Sequence, residues 1–292
     1  MKKFGLLFLL ISIFAWAQQS VLEQKINAVL KDKKATVGIS VLGLENGFQY
    51  SRNGDKKLPM QSVFKFHIAC AVLDLVDKGK LTLDQKIFIK KEDLLENTWS
   101  PIRNAYPNGN IELTLNEIID YTVALSDNNG CDILLRLIGG TETVQKYMTS
   151  KGVKDFQIKY NEEEMHKGWN IQYENFTTAN SGVQVLKKFY EGKLLSKRST
   201  DYLMKIMWGT KTGLNKIVEQ LPENTPVAHK TGSSGKNKDG LTGAENDIGI
   251  VTLPNGKHYA LAVLISNSTE TEAVNCKIIS DVSKLVWDYF NK

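Results

Sequence analysis

Strand-like runs stand at both ends of this chain, and the long stretch between them is patterned for helices. Thr36 to Leu42 and Phe48 to Arg52 read as strands, with Glu45-Asn46-Gly47 as the turn between them. Near the other end, Val227 to Thr231, Asp247 to Leu253 and Tyr259 to Ser266 read the same way. The simplest architecture is one antiparallel sheet built from both termini, with a helical domain inserted between them. Helices expected at 19–31 and from Thr271 to Phe290 would cover that sheet. This is an α/β fold of the α+β, two-domain kind. Residues 18–54 and 209–292 form a discontinuous α/β domain, and 55–208 an all-α domain. With 292 residues, 42% of them hydrophobic, the chain can fill such cores.

Helical periodicity marks Ser62 to Val76, Thr114 to Ala124, Asn128 to Leu137, Thr141 to Ser150, Ser181 to Tyr190 and Ser199 to Trp208. Lys78-Gly79 has the form of a helix C-terminus, and Thr114 with Glu117 that of an N-terminal capping box. Residues 152–178 are polar and without periodicity, which predicts a long ordered surface loop.

Met1-Lys2-Lys3, the apolar run Phe4 to Ala15 and Ala15-Trp16-Ala17 have the form of an export signal cleaved after Ala17. The run is shorter than the ~20 apolar residues that span a bilayer. Residue 18 is Gln, not Cys, so no lipid anchor is indicated. The mature protein is expected in the periplasm, as a monomer with no membrane attachment. Losing Lys2 and Lys3 lowers the formal charge of +5 by two, and the remaining lysines are scattered. That balance does not suggest a nucleic-acid partner. Three cysteines (Cys70, Cys131, Cys276) leave an odd thiol, and the apolar settings of Cys70 and Cys131 favour buried thiols over a disulfide. The four histidines lie without ligand spacing, so neither a metal nor another cofactor is expected.

Three short strings carry the chemistry. Ser62 and Lys65 are one helical turn apart on one face, opening an apolar helix, so the amine can take the hydroxyl's proton. A second Ser-x-x-Lys, Ser233 to Lys236, contains Gly235 in a polar setting and does not suit a buried helix. Ser126-Asp127-Asn128 lies between two predicted helices. It reads as a plain helix cap, or as a hydroxyl and amide facing a cleft. Lys-Thr-Gly occurs at 211–213, where it reads as a turn, and at 230–232, where it ends a strand and can present Lys230, Thr231 and Gly232 to a substrate.

In this order the three strings resemble the signature set of the serine penicillin-recognising enzymes. Leu58-Pro59-Met60-Gln61-Ser62, Leu81-Thr82-Leu83-Asp84-Gln85, Trp99-Ser100-Pro101 and Ile138-Gly139-Gly140 narrow the resemblance to class A β-lactamases. Asn161-Glu162-Glu163-Glu164-Met165-His166 with Thr210-Lys211-Thr212-Gly213 looks most like the PER/VEB-type extended-spectrum branch. The resemblance spans essentially the whole mature chain and implies a β-lactamase/transpeptidase-like fold acting on a β-lactam, cephalosporins above all. It implies Ser62 as acylated nucleophile, Lys65 as its activating neighbour and Ser126 as proton donor to the lactam nitrogen. The backbone N–H groups of Ser62 and Ser233 would form the oxyanion hole. Lys230, Thr231 and Ser233 would hold the substrate carboxylate, Asn128 the acylamino side chain, and Trp99 would flank the entrance.

Glu162, placed by its register against Met165-His166, would activate the deacylating water, with His166 helping to hold it. Its neighbours Glu163 and Glu164 are the residues most easily mistaken for it. Tyr160 stands where many relatives have an arginine that anchors this loop, and Glu163 replaces a common proline. Relatives also use an arginine near the carboxylate. This chain has none after Arg198, which makes Lys216 the candidate. Gln61 precedes Ser62 where carbapenem-hydrolysing relatives often carry cysteine, which argues against that activity. Two alternatives stand beside hydrolysis: a penicillin-binding D-Ala-D-Ala peptidase that acylates and stays blocked, and a β-lactam-sensing domain without turnover.

Overall fold

The structure, a computed structural model, describes residues 19–291. The proposed leader, 1–17, lies outside the described residues. The five main strands form one antiparallel sheet in the order Gln49–Arg52, Thr36–Gly43, His258–Ser268, Thr242–Thr252, Val227–Ser233. The N-terminal strand pairs with the C-terminal one from Thr36 opposite Ser266 to Gly43 opposite Tyr259, which joins the two ends of the chain.

Alternation along these strands sends side chains to two cores. Ile39, Val41, Leu261, Val263 and Ile265 face the helices at 19–30 and Glu272–Phe290, meeting Ile26, Ile279 and Val286. Leu42, Ala260, Ala262 and Leu264 face the larger core of the central helices. The small residues there let the helix Ala179–Tyr190 lie close. A Cβ on Gly182 would stand 3.2 Å from that of Ala262.

The helix Phe64–Asp77 runs through the middle of this second core and is buried without interruption from Phe64 to Asp74. A helix apolar on all sides belongs in an interior, and this one carries Lys65 inside with it. It is preceded by a 3-10 turn, Gln61–Val63, that holds Ser62.

The structure corrects several sequence expectations. The strand expected to begin at Asp247 begins at Thr242, because buried Asn246 satisfies its amide on Pro59 O, Met60 O and Ile265 N–H. A hairpin of Lys86–Ile89 and Ile111–Thr114 lies within the stretch read as helix and loop. The segment 152–178 is more than a surface loop. It holds the helix Glu162–Met165 and the short strands Phe156–Gln157 and Phe176–Thr177, and buries Phe156, Ile158, Met165, Gln172 and Asn175. All three cysteines are free and buried. No described helix is long and apolar enough to cross a membrane.

Candidate active site

Lys65 is fully buried, and its Nζ lies 2.9 Å from Ser62 Oγ, 2.9 Å from the Ser126 carbonyl, 2.5 Å from Asn128 Oδ1 and 2.9 Å from Glu162 Oε1. One ammonium thus gathers oxygens from three separate segments, the turn at Ser62, the stretch 126–128 and the helix that Glu162 opens. Its three N–H bonds cannot serve four oxygens. Glu162 Oε1 is the one left at ion-pair distance without an aligned hydrogen bond. That oxygen can accept a proton from a water or from Lys65 itself.

Two residues beside the nucleophile hold left-handed backbone that side chains disfavour, Gln61 (φ 46°) and Ser126 (φ 59°). Non-glycine residues keep such conformations where the surroundings over-determine them, commonly at functional sites. Gln61 is tied through its amide to Gln172 at 2.7 Å. Ser126 is held from the next residue. Asp127 caps the helix Asn128–Ile138 and accepts from Gly130 N–H, Ile102 N–H and the Ser100 hydroxyl. Burial still pushes the Asp127 carboxyl above its ordinary range, against those bonds. The helix cap and the cleft-facing hydroxyl are therefore both present, on adjacent residues.

The strand Val227–Ser233 is an edge strand, paired only with Thr242–Thr252. Ser234 N–H bonds to Ala244 O across that pair, so by alternation Ser233 N–H points away from the sheet, on the open edge. Gly232 lets this edge press against the nucleophile turn. A Cβ there would stand 2.5 Å from Met60 O and 3.1 Å from Ser62 N. Lys230 is fully buried, and its Nζ donates to Ser126 Oγ at 3.0 Å and to Thr231 O. Burial first, then the neighbouring Lys65 ammonium, drives Lys230 well below the ordinary lysine range. The other Lys-Thr-Gly also reaches this place: Thr212 and Thr231 share a hydrogen bond of 2.8 Å between their hydroxyls.

Glu162 is 5% exposed at the start of its one-turn helix, which Asn161 caps in a reciprocal capping box with Glu164. Where an arginine was missing at Tyr160, two other residues hold the loop. Asp132 takes the N–H groups of Glu162 and Glu163 on its two oxygens, both at 2.9 Å. Asn175 accepts from Lys159 N–H and Tyr160 N–H and donates back to Tyr160 O. Burial pushes the Asp132 carboxyl up to about 6, against those two bonds, with Glu162 adding to the rise. His166 Nδ1 lies 2.7 Å from Glu162 O and its Nε2 3.4 Å from the Thr98 hydroxyl. Asn128 donates to that same hydroxyl at 2.6 Å.

Asp132, Asn175 and Thr98 were missed in the sequence. A signal existed for Asp132, an acidic residue one turn after Asn128 within an apolar helix. None existed for Asn175 or Thr98, whose partners are distant in the chain. Trp99 is 59% exposed at the rim, its indole N–H bonded to Leu125 O. Lys216 lines the same cleft but is buried and paired with Glu245 at 2.6 Å. Two clefts meet at Ser62, one past Ser126, Thr231 and Ser233, the other past Glu162, His166 and Gln172.

Comparison with known proteins gives concordant results. The family model of the β-lactamase enzyme family matches residues 21–290. The chain is 48% identical over 280 residues to β-lactamase VEB-1 of Pseudomonas aeruginosa, covering 95% of this chain and 93% of that one. It is 39% identical over 273 residues to the extended-spectrum β-lactamase PER-1 of the same organism, covering 94% and 88%. Among solved structures, the TLA-3 extended-spectrum β-lactamase superposes with a TM-score of 0.92 at 54% identity, covering 94% of this chain and all of that one.

Proposed function

The chain belongs to the class A β-lactamases and hydrolyses β-lactams, and we propose that it does so through an acyl-enzyme on Ser62 that Glu162 releases. The observation that carries this reading is the single Lys65 ammonium in contact with both the Ser62 hydroxyl and the Glu162 carboxylate, each at 2.9 Å.

In acylation, Lys65 passes a proton to Glu162 and, as a free amine, takes the proton of Ser62 while Oγ attacks the lactam carbonyl. Ser62 N–H and the outward Ser233 N–H stabilise the oxyanion. The carbon–nitrogen bond breaks, and Ser126 Oγ gives the nitrogen its proton, replaced through the lysines beside it. The proton that left Ser62 thus ends on the lactam nitrogen, and Glu162 is again a carboxylate. In deacylation, Glu162 takes a proton from water, the hydroxide attacks the ester, and Ser62 leaves and recovers its proton. Lys230, Thr231 and Ser233 hold the substrate carboxylate, and Asn128 and Trp99 border its side chain. Lys216 bears on that carboxylate only through Glu245 and Ser233, since its ammonium is paired with Glu245. The buried Glu162 supports turnover over the blocked peptidase or sensor alternatives.

Cephalosporins, including oxyimino-cephalosporins, are the proposed preferred substrates, a reading supported by relatives described as extended-spectrum. We also propose export with cleavage after Ala17, action as a monomer, and the division into 18–54 with 209–292 against 55–208. The division is supported by the core under the terminal helices, whose members among the described residues lie within 22–50 and 217–290. Steady-state hydrolysis of a penicillin and an oxyimino-cephalosporin by the mature protein tests the function, with Ser62→Ala as control. Hydrolysis of both by the wild type, the cephalosporin faster, is expected. Hydrolysis retained in Ser62→Ala would remove the serine mechanism.

A further inference from the structure

Glu245 lies directly opposite Ser233 in the strand pairing, and its carboxylate is buried at the end of the cleft where the substrate carboxylate is proposed to bind. Both of its oxygens are engaged. Oε1 meets the Lys216 ammonium at 2.6 Å, and Oε2 accepts from the Ser233 hydroxyl at 3.0 Å. Lys216 is fixed in turn, donating to Asn246 O at 3.2 Å with its stem packed over Gly213. An ammonium and a hydroxyl are the donors that a substrate carboxylate needs, and here a carboxylate of the protein already holds them.

Charge accounting points the same way. Three buried lysines stand around the cleft, Lys65, Lys216 and Lys230. Glu162 stands against Lys65 and Glu245 against Lys216. Among the described residues, Lys230 has no carboxylate within salt-bridge distance, and burial holds it well below the ordinary lysine range. An incoming carboxylate brings Lys230 the counter-charge it lacks and meets Glu245 as a like charge beside Ser233. Ser233 Oγ has one proton to donate and cannot serve both carboxylates.

We propose that Glu245 is a specificity-determining residue, an internal carboxylate that the substrate carboxylate must displace from the Ser233 hydroxyl. This rests on the reading of Lys230, Thr231 and Ser233 as the carboxylate cradle. Binding is an exchange: Ser233 turns from Glu245 to the substrate, and Glu245 stays on Lys216. The exchange raises KM for substrates that carry the carboxylate. It leaves kcat alone, because Glu245 touches none of the reacting atoms.

The test compares a chromogenic cephalosporin with its carboxylate methyl ester. In Glu245→Gln, KM for the acid is expected to fall by about 3- to 10-fold, with kcat and the KM for the ester unchanged. An unchanged or raised KM for the acid in a folded variant overturns the proposal. Ser233→Ala separates this from the underlying reading: it should raise KM for the acid, and no effect there means the cradle itself is wrong. Should Glu245→Gln fail to fold, a structure of Glu162→Gln acylated by the cephalosporin decides the matter with Glu245 in place. Ser233 Oγ is expected within about 3.2 Å of the substrate carboxylate and no longer bonded to Glu245. Ser233 still bonded to Glu245 would contradict the exchange.

Discussion

An ammonium has three N–H bonds, and Lys65 has four oxygens around it. That mismatch leaves one Glu162 oxygen without a directed hydrogen bond and so able to act on a proton. The position of that oxygen depends on Asp132, which fixes two successive N–H groups of the loop. Replacing Asp132 with Ala removes two charge-assisted bonds, worth about 1.5–3 kcal/mol each before relaxation. Asp132→Ala is expected to lower the midpoint of urea unfolding and to slow deacylation more than acylation, as read by stopped-flow kinetics. The same carboxyl has a signature in pH. Its folded-state value of about 6 lies above the ordinary 3.8. Between those values the native state binds more protons than the unfolded chain, so this contribution to stability is present at low pH and lost as pH rises toward 6. Urea midpoints from pH 4 to 7 should show that slope in the wild type and lack it in Asp132→Ala.

At the scale of elements, the site exists because an edge strand and the turn before a buried helix meet without a side chain between them. Gly232→Ala would drive a Cβ against Met60 O, which is backbone and cannot swing aside. Overpacking of this kind costs about 1–3 kcal/mol, and the shifted strand would misplace Ser233 N–H against Ser62. Gly232→Ala is expected to lose at least about 10²-fold in kcat, the scale of one oxyanion donor, with a lowered melting temperature. The contrast between elements also explains what could be read in advance. The helices with apolar periodicity and capping residues, such as Leu115–Ala124 behind Thr114 and Glu117, were legible because their signals are local. Ser62, Lys65, Ser126 and Lys230 were legible because each sits in a short string, and the structure brings them together. The start of the strand at Thr242, the order within 152–178, and the roles of Asp132, Asn175 and Glu245 were not. Those depend on polar groups buried against partners 12 to 187 residues away, and no local pattern marks such a pairing. The structure also tempers the rejection of one Lys-Thr-Gly, since Thr212 of the discarded copy bonds to Thr231 of the chosen one.

The described molecule is an open sheet whose middle is the pairing of the chain's first and last long strands, with a core on each face, and its three thiols are buried. The Cys70 and Cys131 thiols are raised well above the ordinary range and Cys276 to about 11, in each case chiefly by burial. Because the thiolate is the reactive form, a thiol reagent at pH 8 should find almost no reaction in the native protein and three thiols after unfolding. One thiol after unfolding without reductant would mean a disulfide between two of them and contradict three free cysteines. For the molecule as a catalyst, the central claim is that Glu162 converts an acylated serine back into free enzyme. Mass spectrometry of wild type and Glu162→Gln, quenched at intervals after mixing with an oxyimino-cephalosporin, tests it most directly. Wild-type protein is expected to stay mostly unmodified while substrate is consumed. Glu162→Gln is expected to carry one acyl group on Ser62, with kcat lowered by about 10²- to 10⁴-fold. Glu162→Gln turning over at the wild-type rate, with no acyl-enzyme accumulated, would contradict it.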